Sequence, residues 1–209
     1  MRRELTSAVD DLVARDPVMA DLVDRHGPCR LPGSLPAGGR FEALTRSICG
    51  QQVAGAAARA IHGRFLALYD GSPTPEAVLA THPDELRAVG LSGSKAASIV
   101  DLALHVENGD VRLATIGRHD DAAVVEQLTV VRGIGSWTAH MFLMFQLGRL
   151  DVWPSGDFGV RKGYGRAWRR DGEAPTARDL EPLGDPYRPY RSVVAWYCWR
   201  AAGDETASP

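Results

Sequence analysis

The chain has 209 residues, 24 basic against 26 acidic side chains and 44% hydrophobic content, a make-up that excludes a disordered, collagenous or membrane-spanning protein. A chain of this length can bury about 70% of its unfolded surface in one core or two lobes without disulfide staples. Its three cysteines, Cys29, Cys49 and Cys198, are far apart, odd in number and in no C-x-x-C pair, which argues against a disulfide framework, a zinc knuckle or a four-cysteine iron–sulfur cluster and fits a reducing compartment. The N-terminal MRRELTSAVDDLV has no unbroken apolar run behind its arginines, so neither export nor membrane anchorage is expected. The expected location is the cytoplasm, nucleoid-associated if the source is bacterial.

Apolar residues recur at helical spacing nearly throughout. Residues 5–25 carry Leu5, Val9, Leu12, Val13, Met19, Leu22 and Val23, with a break expected at Pro17. A Gly/Pro-rich loop follows over 27–39, and 41–69 reads as two helices meeting near Gly50. The segments 72–80 and 81–89 each begin with a Ser or Thr cap signal and a proline, which predicts two short helices. A helix from about Ser94 to Glu107 stops at Asn108-Gly109, and further helices are expected over 120–130, 136–147, 157–169 and 189–201. No stretch alternates at period two. The predicted fold is therefore all-α, a helical bundle in two lobes with a cleft between them: 40–118 and 119–202, with 1–39 packing as N-terminal helices and 203–209 as a flexible tail.

A net charge of −2 is atypical of a nucleic-acid binder, but the charges are unevenly placed. All but two of the basic residues, Lys95 and Lys162, are arginines, the better side chain for bidentate phosphate contacts. No carboxylate occurs from Gln127 to Leu150, and Arg161, Lys162, Arg166, Arg169 and Arg170 occur unopposed between Phe158 and Arg170. Acidic residues gather in 1–24 and 70–121. A slightly acidic chain can still present a cationic face.

Two local constellations stand out. In Leu128-Thr-Val-Val-Arg-Gly-Ile-Gly-Ser-Trp-Thr-Ala-His-Met (128–141), an apolar helix ends in Gly133-Ile134-Gly135 and a new helix starts with Ser136 as the expected N-cap. Two glycines around one apolar residue make a tight hairpin whose backbone can approach another surface, and the amides opening the second helix suit a phosphate. Most G-x-G turns merely connect helices. The second constellation is Val152-Trp-Pro-Ser-Gly-Asp-Phe-Gly-Val-Arg-Lys (152–162), which puts Asp157 at the start of a helix, where a capping role worth about 1 kcal/mol is the simplest reading.

Helix, Gly-Ile-Gly hairpin, helix and an aspartate some twenty residues on resemble the helix-hairpin-helix DNA glycosylase superfamily, and more closely the 3-methyladenine DNA glycosylase II family. The likeness spans roughly residues 40–202 and takes in Arg46-Ser-Ile-Cys-Gly-Gln-Gln-Val (46–53), Gly90-Leu-Ser-Gly-Ser-Lys-Ala (90–96) and Tyr187-Arg-Pro-Tyr-Arg-Ser (187–192) with the aromatic helix after it. Relatives often carry an extra N-terminal β-rich domain, for which 209 residues leave no room; this sequence looks like the helical core.

The resemblance implies a catalytic role for Asp157 in cleaving an N-glycosidic bond, where a carboxylate stabilises the positive charge developing on the sugar. No partner acid is evident, which favours alkylated purines that already carry positive charge, the 3-methyladenine and 7-methylguanine class, over neutral lesions. It also implies a base pocket walled by Trp137, Trp199 and Trp196, of which Trp196 equally suits the core. Met141 stands where a well-studied bacterial relative has a pocket tyrosine. Relatives that also cut the strand have a lysine where this chain has Trp137, so no lyase activity is expected. The segment Gln51-Gln52-Val53 matches the family's intercalating wedge, with Gln52 as the filling residue. Arg132, Gly133, Gly135, Ser136, Arg161 and Lys162 are the implied phosphate contacts. The carbonyls of Thr129, Val131 and Ile134 are the implied ligands of a structural Na+ or K+, with no other cofactor required and no iron–sulfur cluster. The partner implied is double-stranded DNA containing damaged bases, bound by a monomer.

The rival readings are a non-catalytic helix-hairpin-helix DNA-binding module and a glycosylase for oxidised or mismatched bases. The six histidines show no metal spacing, Ser92–Lys95 lacks the motifs that would make S-x-x-K meaningful, and Arg188 and Arg191 are expected to support the closing helix.

Overall fold

The computed structural model describes residues 2–169 and 171–203, all helices, turns and loops. The chain forms two compact units, one from the described parts of 1–34 and 147–209, the other from 35–146. This differs from the expected division at 118/119: the helices on both sides of the Gly133 hairpin belong with the middle of the chain, and the N-terminal helices join the C-terminal ones. The tail expected over 203–209 lies, past Gly203, outside the described residues. Among the described residues no helix is long and apolar enough to cross a membrane.

The middle unit contains α3 (Arg40–Gly50), α4 (Gly55–Ala67), α5 (Pro75–Ala80), α6 (Pro83–Ala88), α7 (Gly93–Glu107), α8 (Asp121–Thr129) and α9 (Ser136–Phe145). Its core is mainly aliphatic, with Leu44, Ile48, Leu86, Ile99, Leu102, Ile116 and Leu128 fully buried around the aromatic Phe65. Thr74, Ser92 and Asp120 cap α5, α7 and α8 through their side chains. The expected Thr81 cap is not used: His82 Nδ1 accepts from the Asp84 amide and opens α6, while Thr81 Oγ1 turns back to the Ala77 carbonyl at 2.8 Å. Two cationic side chains, buried Arg40 and half-buried Lys95, hold other backbone carbonyls. Arg40 donates to the Leu113 and Ala114 carbonyls, and Lys95 Nζ donates to the Cys49 carbonyl at 2.9 Å in the last turn of α3.

The terminal unit contains α1 (Arg2–Arg15), α2 (Pro17–His26), α10 (Phe158–Trp168), α11 (Ala177–Leu183) and α12 (Arg191–Gly203). The break at Pro17 is where the proline requires it, with Asp16 capping α2 through Val18 N at 2.8 Å. The other oxygen of Asp16 accepts from Trp168 Nε1 and the Tyr187 hydroxyl, each at 2.7 Å, tying α2 to the end of α10. Stacked Tyr164 and Trp168, with Tyr187 edge-on, fill the space around that knot. Helix α11 has no counterpart in the sequence reading, because Pro182 obscured a short helix that Thr176 caps through the Asp179 amide. Arg188 and Arg191 do support the closing helix: both bind Asp151, and Arg191 Nε meets Oδ1 at 2.8 Å. Burial works to raise the Asp151 pKa, but the hydrogen bonds and charges of Arg191 and the charge of Arg188 outweigh it and hold the carboxyl below its ordinary value. All three cysteines are buried free thiols; burial raises Cys29 and Cys49 to about 11 and Cys198 further still, which makes them unreactive.

Candidate active site

In the terminal unit, the buried pair Val152-Trp153 anchors the turn that presents Asp157. Ser192 Oγ accepts from Val152 N at 2.9 Å, and Trp153 Nε1 donates to the Leu180 carbonyl at 3.0 Å. Pro154 and Gly156 then reverse the chain, with Asp157 N bonded to the Pro154 carbonyl at 2.8 Å. Asp157 is the N-cap of α10: its Oδ1 accepts from Val160 N at 2.8 Å. The same oxygen accepts from Trp199 Nε1 at 2.9 Å. The side chain thus caps a helix and also takes a bond from α12 that capping does not require.

The approach of α12 is set by glycines. Gly159 and Gly163 lie four residues apart on one face of α10. A Cβ at Gly159 would stand 2.8 Å from Trp199 Cδ1 and 3.1 Å from Asp157 Oδ1, and one at Gly163 would overlap the Cys198 carbonyl. Phe158, 64% exposed, opens α10 beside Asp157, with the Arg161 guanidinium 5.5 Å from its ring centroid. Phe158 is not among the candidates read from the sequence; the available signal was a large aromatic directly after a capping carboxylate. The basic segment is partly spent within the chain. Arg161 donates to the Pro175 carbonyl, Arg166 closes the end of α12 through the Ala201 and Ala202 carbonyls, and Arg169 pairs with Asp171. Lys162 makes no hydrogen bond or ion pair among the described residues, outside which Arg170 lies.

In the middle unit, α8 and α9 are joined by the hairpin. Gly133 has φ +76°, and a Cβ there would stand 2.6 Å from Ser98 Oγ, so glycine is required twice over. Gly135, not Ser136, is the N-cap of α9, and no side chain caps it; Ser136 is the first helical residue, so the helix starts one residue earlier than expected. Asp101 of α7 receives the Arg132 amide on Oδ2 at 2.7 Å and lies 3.7 Å from His105. An acid from the 70–121 cluster therefore reaches the carboxylate-free stretch in space, which linear segregation of charge did not reveal. Gln51 Nε2 donates to the Gly133 carbonyl at 2.8 Å. Its neighbour Gln52 is exposed with φ +55°, a left-handed conformation that is costly for a non-glycine residue.

Residues 45–185 match the HhH-GPD superfamily of base excision DNA repair proteins. The chain belongs to this superfamily. It is 32% identical over 201 residues to DNA-3-methyladenine glycosylase 1 of Schizosaccharomyces pombe, covering 95% of this chain and 88% of that one. Among solved structures, it matches a DNA-3-methyladenine glycosidase from Bacillus halodurans with TM-score 0.83 and 35% identity over 94% of this chain and 89% of that one. It matches the S. pombe 3-methyladenine DNA glycosylase in complex with abasic DNA with TM-score 0.83 and 31% identity, over 93% and 95% of the two chains.

Within the superfamily fold, the remaining candidate residues fall as follows. Trp137 is 49% exposed in the first turn of α9, not packed in the core, and Met141 is half-buried one turn along the same face. Trp196 is 6% exposed, edge-on to Tyr197 and covered by the Arg200 guanidinium at 4.7 Å, a core position. Val53 is 38% exposed beside Gln52. In the hairpin, the Val131 carbonyl accepts from Ile134 N at 3.0 Å, while the side chain of Thr129 is bonded to the Val125 carbonyl.

Proposed function

We propose that the chain is a monofunctional DNA N-glycosylase that flips alkylated purines out of duplex DNA and hydrolyses their glycosidic bond. The observation that carries the reading is the Asp157 carboxylate, bonded by Val160 N and Trp199 Nε1 on one oxygen, in a chain similar over nearly all its length to a 3-methyladenine glycosylase. At about 4 Å and an effective dielectric near 20, a carboxylate stabilises the positively charged sugar by about 4 kcal/mol, roughly a thousandfold in rate. The same group can orient or deprotonate the attacking water. An alkylated purine leaves as a neutral base without a proton donor, so one carboxylate suffices.

In the middle unit Trp137 and Met141 are the residues assigned to stack on an extruded base, and in the terminal unit Trp199 offers an indole face next to Asp157; stacking contributes about 1–3 kcal/mol per base and a cationic base adds about 0.5–2 kcal/mol. Gln52 fills the gap in the helix, its left-handed backbone holding the side chain outward, with Gln51 and Val53 flanking it at the duplex. The amides around Gly133, Gly135 and Ser136, helped by Arg132, grip one phosphate, and Lys162 with Arg161 another. The Thr129, Val131 and Ile134 carbonyls, neutral oxygens on a tight turn, suit a monovalent cation, which would add positive charge behind the phosphate. Tryptophan at 137 has no amine to form a Schiff base, so the product is an intact strand with an abasic site.

The test is release of methylated bases from duplex DNA, read as alkali-induced breaks, for the wild type and Asp157→Asn. Asparagine keeps the helix cap, so a loss of about a thousandfold with an unchanged melting temperature is expected. Equal activity would remove Asp157 from its role, and no release by either protein would favour a DNA-binding module. Borohydride trapping of the wild type on DNA would overturn the monofunctional assignment.

A further inference from the structure

We infer that Trp199 is a positioning residue for Asp157, acting through its indole N–H and not only as a surface for the base. The inference rests on the glycosylase reading and deepens it. A wall residue needs a ring face and no particular edge. Trp199 instead turns its edge to the carboxylate, with Nε1 2.9 Å from Asp157 Oδ1. Gly159 is what admits this arrangement, because any Cβ there would crowd both Trp199 Cδ1, at 2.8 Å, and Asp157 Oδ1, at 3.1 Å. Asp157, Gly159 and Trp199 are thus one interlocked unit on the crossing of α10 and α12.

The second bond has a specific consequence. The cap to Val160 N holds Oδ1 from within the carboxylate's own helix. A donor from a second helix, fixed by the Gly163 crossing at Cys198, limits rotation of the carboxylate and sets its direction toward the sugar. A charge held in advance acts on the transition state without reorganising during the reaction, and small displacements of such a group lower rates steeply.

Trp199→Phe keeps an aromatic face and removes the N–H. In single-turnover assays on methylated duplex DNA, the rate constant is expected to fall roughly 10- to 100-fold, while affinity for abasic-site DNA stays within about twofold, the pattern of an interaction used in the transition state. The deciding comparison adds the same substitution to Asp157→Asn: with the carboxylate gone, Trp199→Phe should cost nothing further. Equal losses in both backgrounds, or weaker DNA binding at an unchanged rate, would make Trp199 a stacking residue and overturn the inference. A wild type that releases no base would overturn the glycosylase reading itself. A readout independent of turnover is the Trp199 indole proton resonance, assigned by its loss in Trp199→Phe. It should move in Asp157→Asn, and an unmoved resonance would show that the bond is not made.

Discussion

Two helices in this protein start in opposite ways. Helix α10 begins with Asp157, whose side chain occupies the positive end of the helix and accepts from Val160 N. Helix α9 begins with Gly135, and no side chain caps it. The first N-terminus carries its own anion and can therefore attract a cation, the sugar that forms as a base departs. The second leaves its amides without a side-chain cap, and under the proposed function they receive an anion from outside, a DNA phosphate. On that proposal one device, the amides of a helix start, serves opposite signs of charge, and the residue at the cap decides which.

The largest test of that contrast is Asp157→Ala beside Asp157→Asn. Both should lose about a thousandfold in glycosylase rate, but only alanine should also lose about 1 kcal/mol of stability with the cap. If the two variants lost activity in proportion to their stability, Asp157 would be a cap and nothing more. Next in size is Gly133→Ala in the hairpin. A left-handed backbone costs a residue with a Cβ about 1–2 kcal/mol, and that Cβ must displace Ser98 Oγ, 2.6 Å away and bonded to the Ser94 carbonyl. A lowered melting temperature with weakened duplex binding is expected; intact DNA affinity in the destabilised protein would show that the hairpin does not grip the backbone.

Much of this was readable in advance, and the failures share a cause. The helices, the break at Pro17, the hairpin glycines and the Asp157 cap are local features, set by period, proline chemistry and sequence spacing. What was missed depends on contacts between distant segments. Asp101 reaches Arg132 N across thirty-one positions, and Arg166 is taken up by the α12 carbonyls thirty-five and thirty-six residues on. Linear charge segregation saw neither. Trp199 was legible as an aromatic in the right helix, but its edge-on bond to Asp157 depends on the absence of a Cβ at Gly159, a relation between helices that no spacing rule contains. Boundaries also shifted: the units divide at 34/35 and 146/147 because helix pairs across the hairpin pack together.

A third helix start supplies a pH test. Asp151, held by Arg191 and Arg188, also receives the first amide of α12, with Arg191 N 3.4 Å from its Oδ1. Its carboxyl is depressed below the ordinary value of 3.8. A depressed folded-state pKa contributes stability that is fully present above the unfolded value, so this contribution should hold above about pH 4 and fall away as pH drops through the depressed pKa. Thermal melts of Asp151→Asn should accordingly show a shallower loss of stability below pH 4 than the wild type; parallel curves would mean the arginines do not hold the carboxylate.

The smallest effect, and the sharpest, comes from giving α9 the start that α10 has. Gly135 has φ −99° and ψ 178°, extended backbone open to any residue, and a Cβ there meets nothing within 4 Å. Gly135→Asp should therefore fold normally and gain a few tenths of a kcal/mol as a better N-cap. The same carboxylate would stand where the proposed function puts a phosphate. Repulsion of about 1 kcal/mol at a solvated 4 Å separation predicts roughly fivefold weaker duplex binding, and removing one phosphate contact should flatten the dependence of log affinity on log salt by about 0.9. A stabilised protein that binds DNA less well separates the two uses of a helix start within one substitution. A stabilised protein with unchanged affinity and salt slope would mean that the open amides of α9 do not hold the phosphate, and the contrast between the two helices would be one of capping alone.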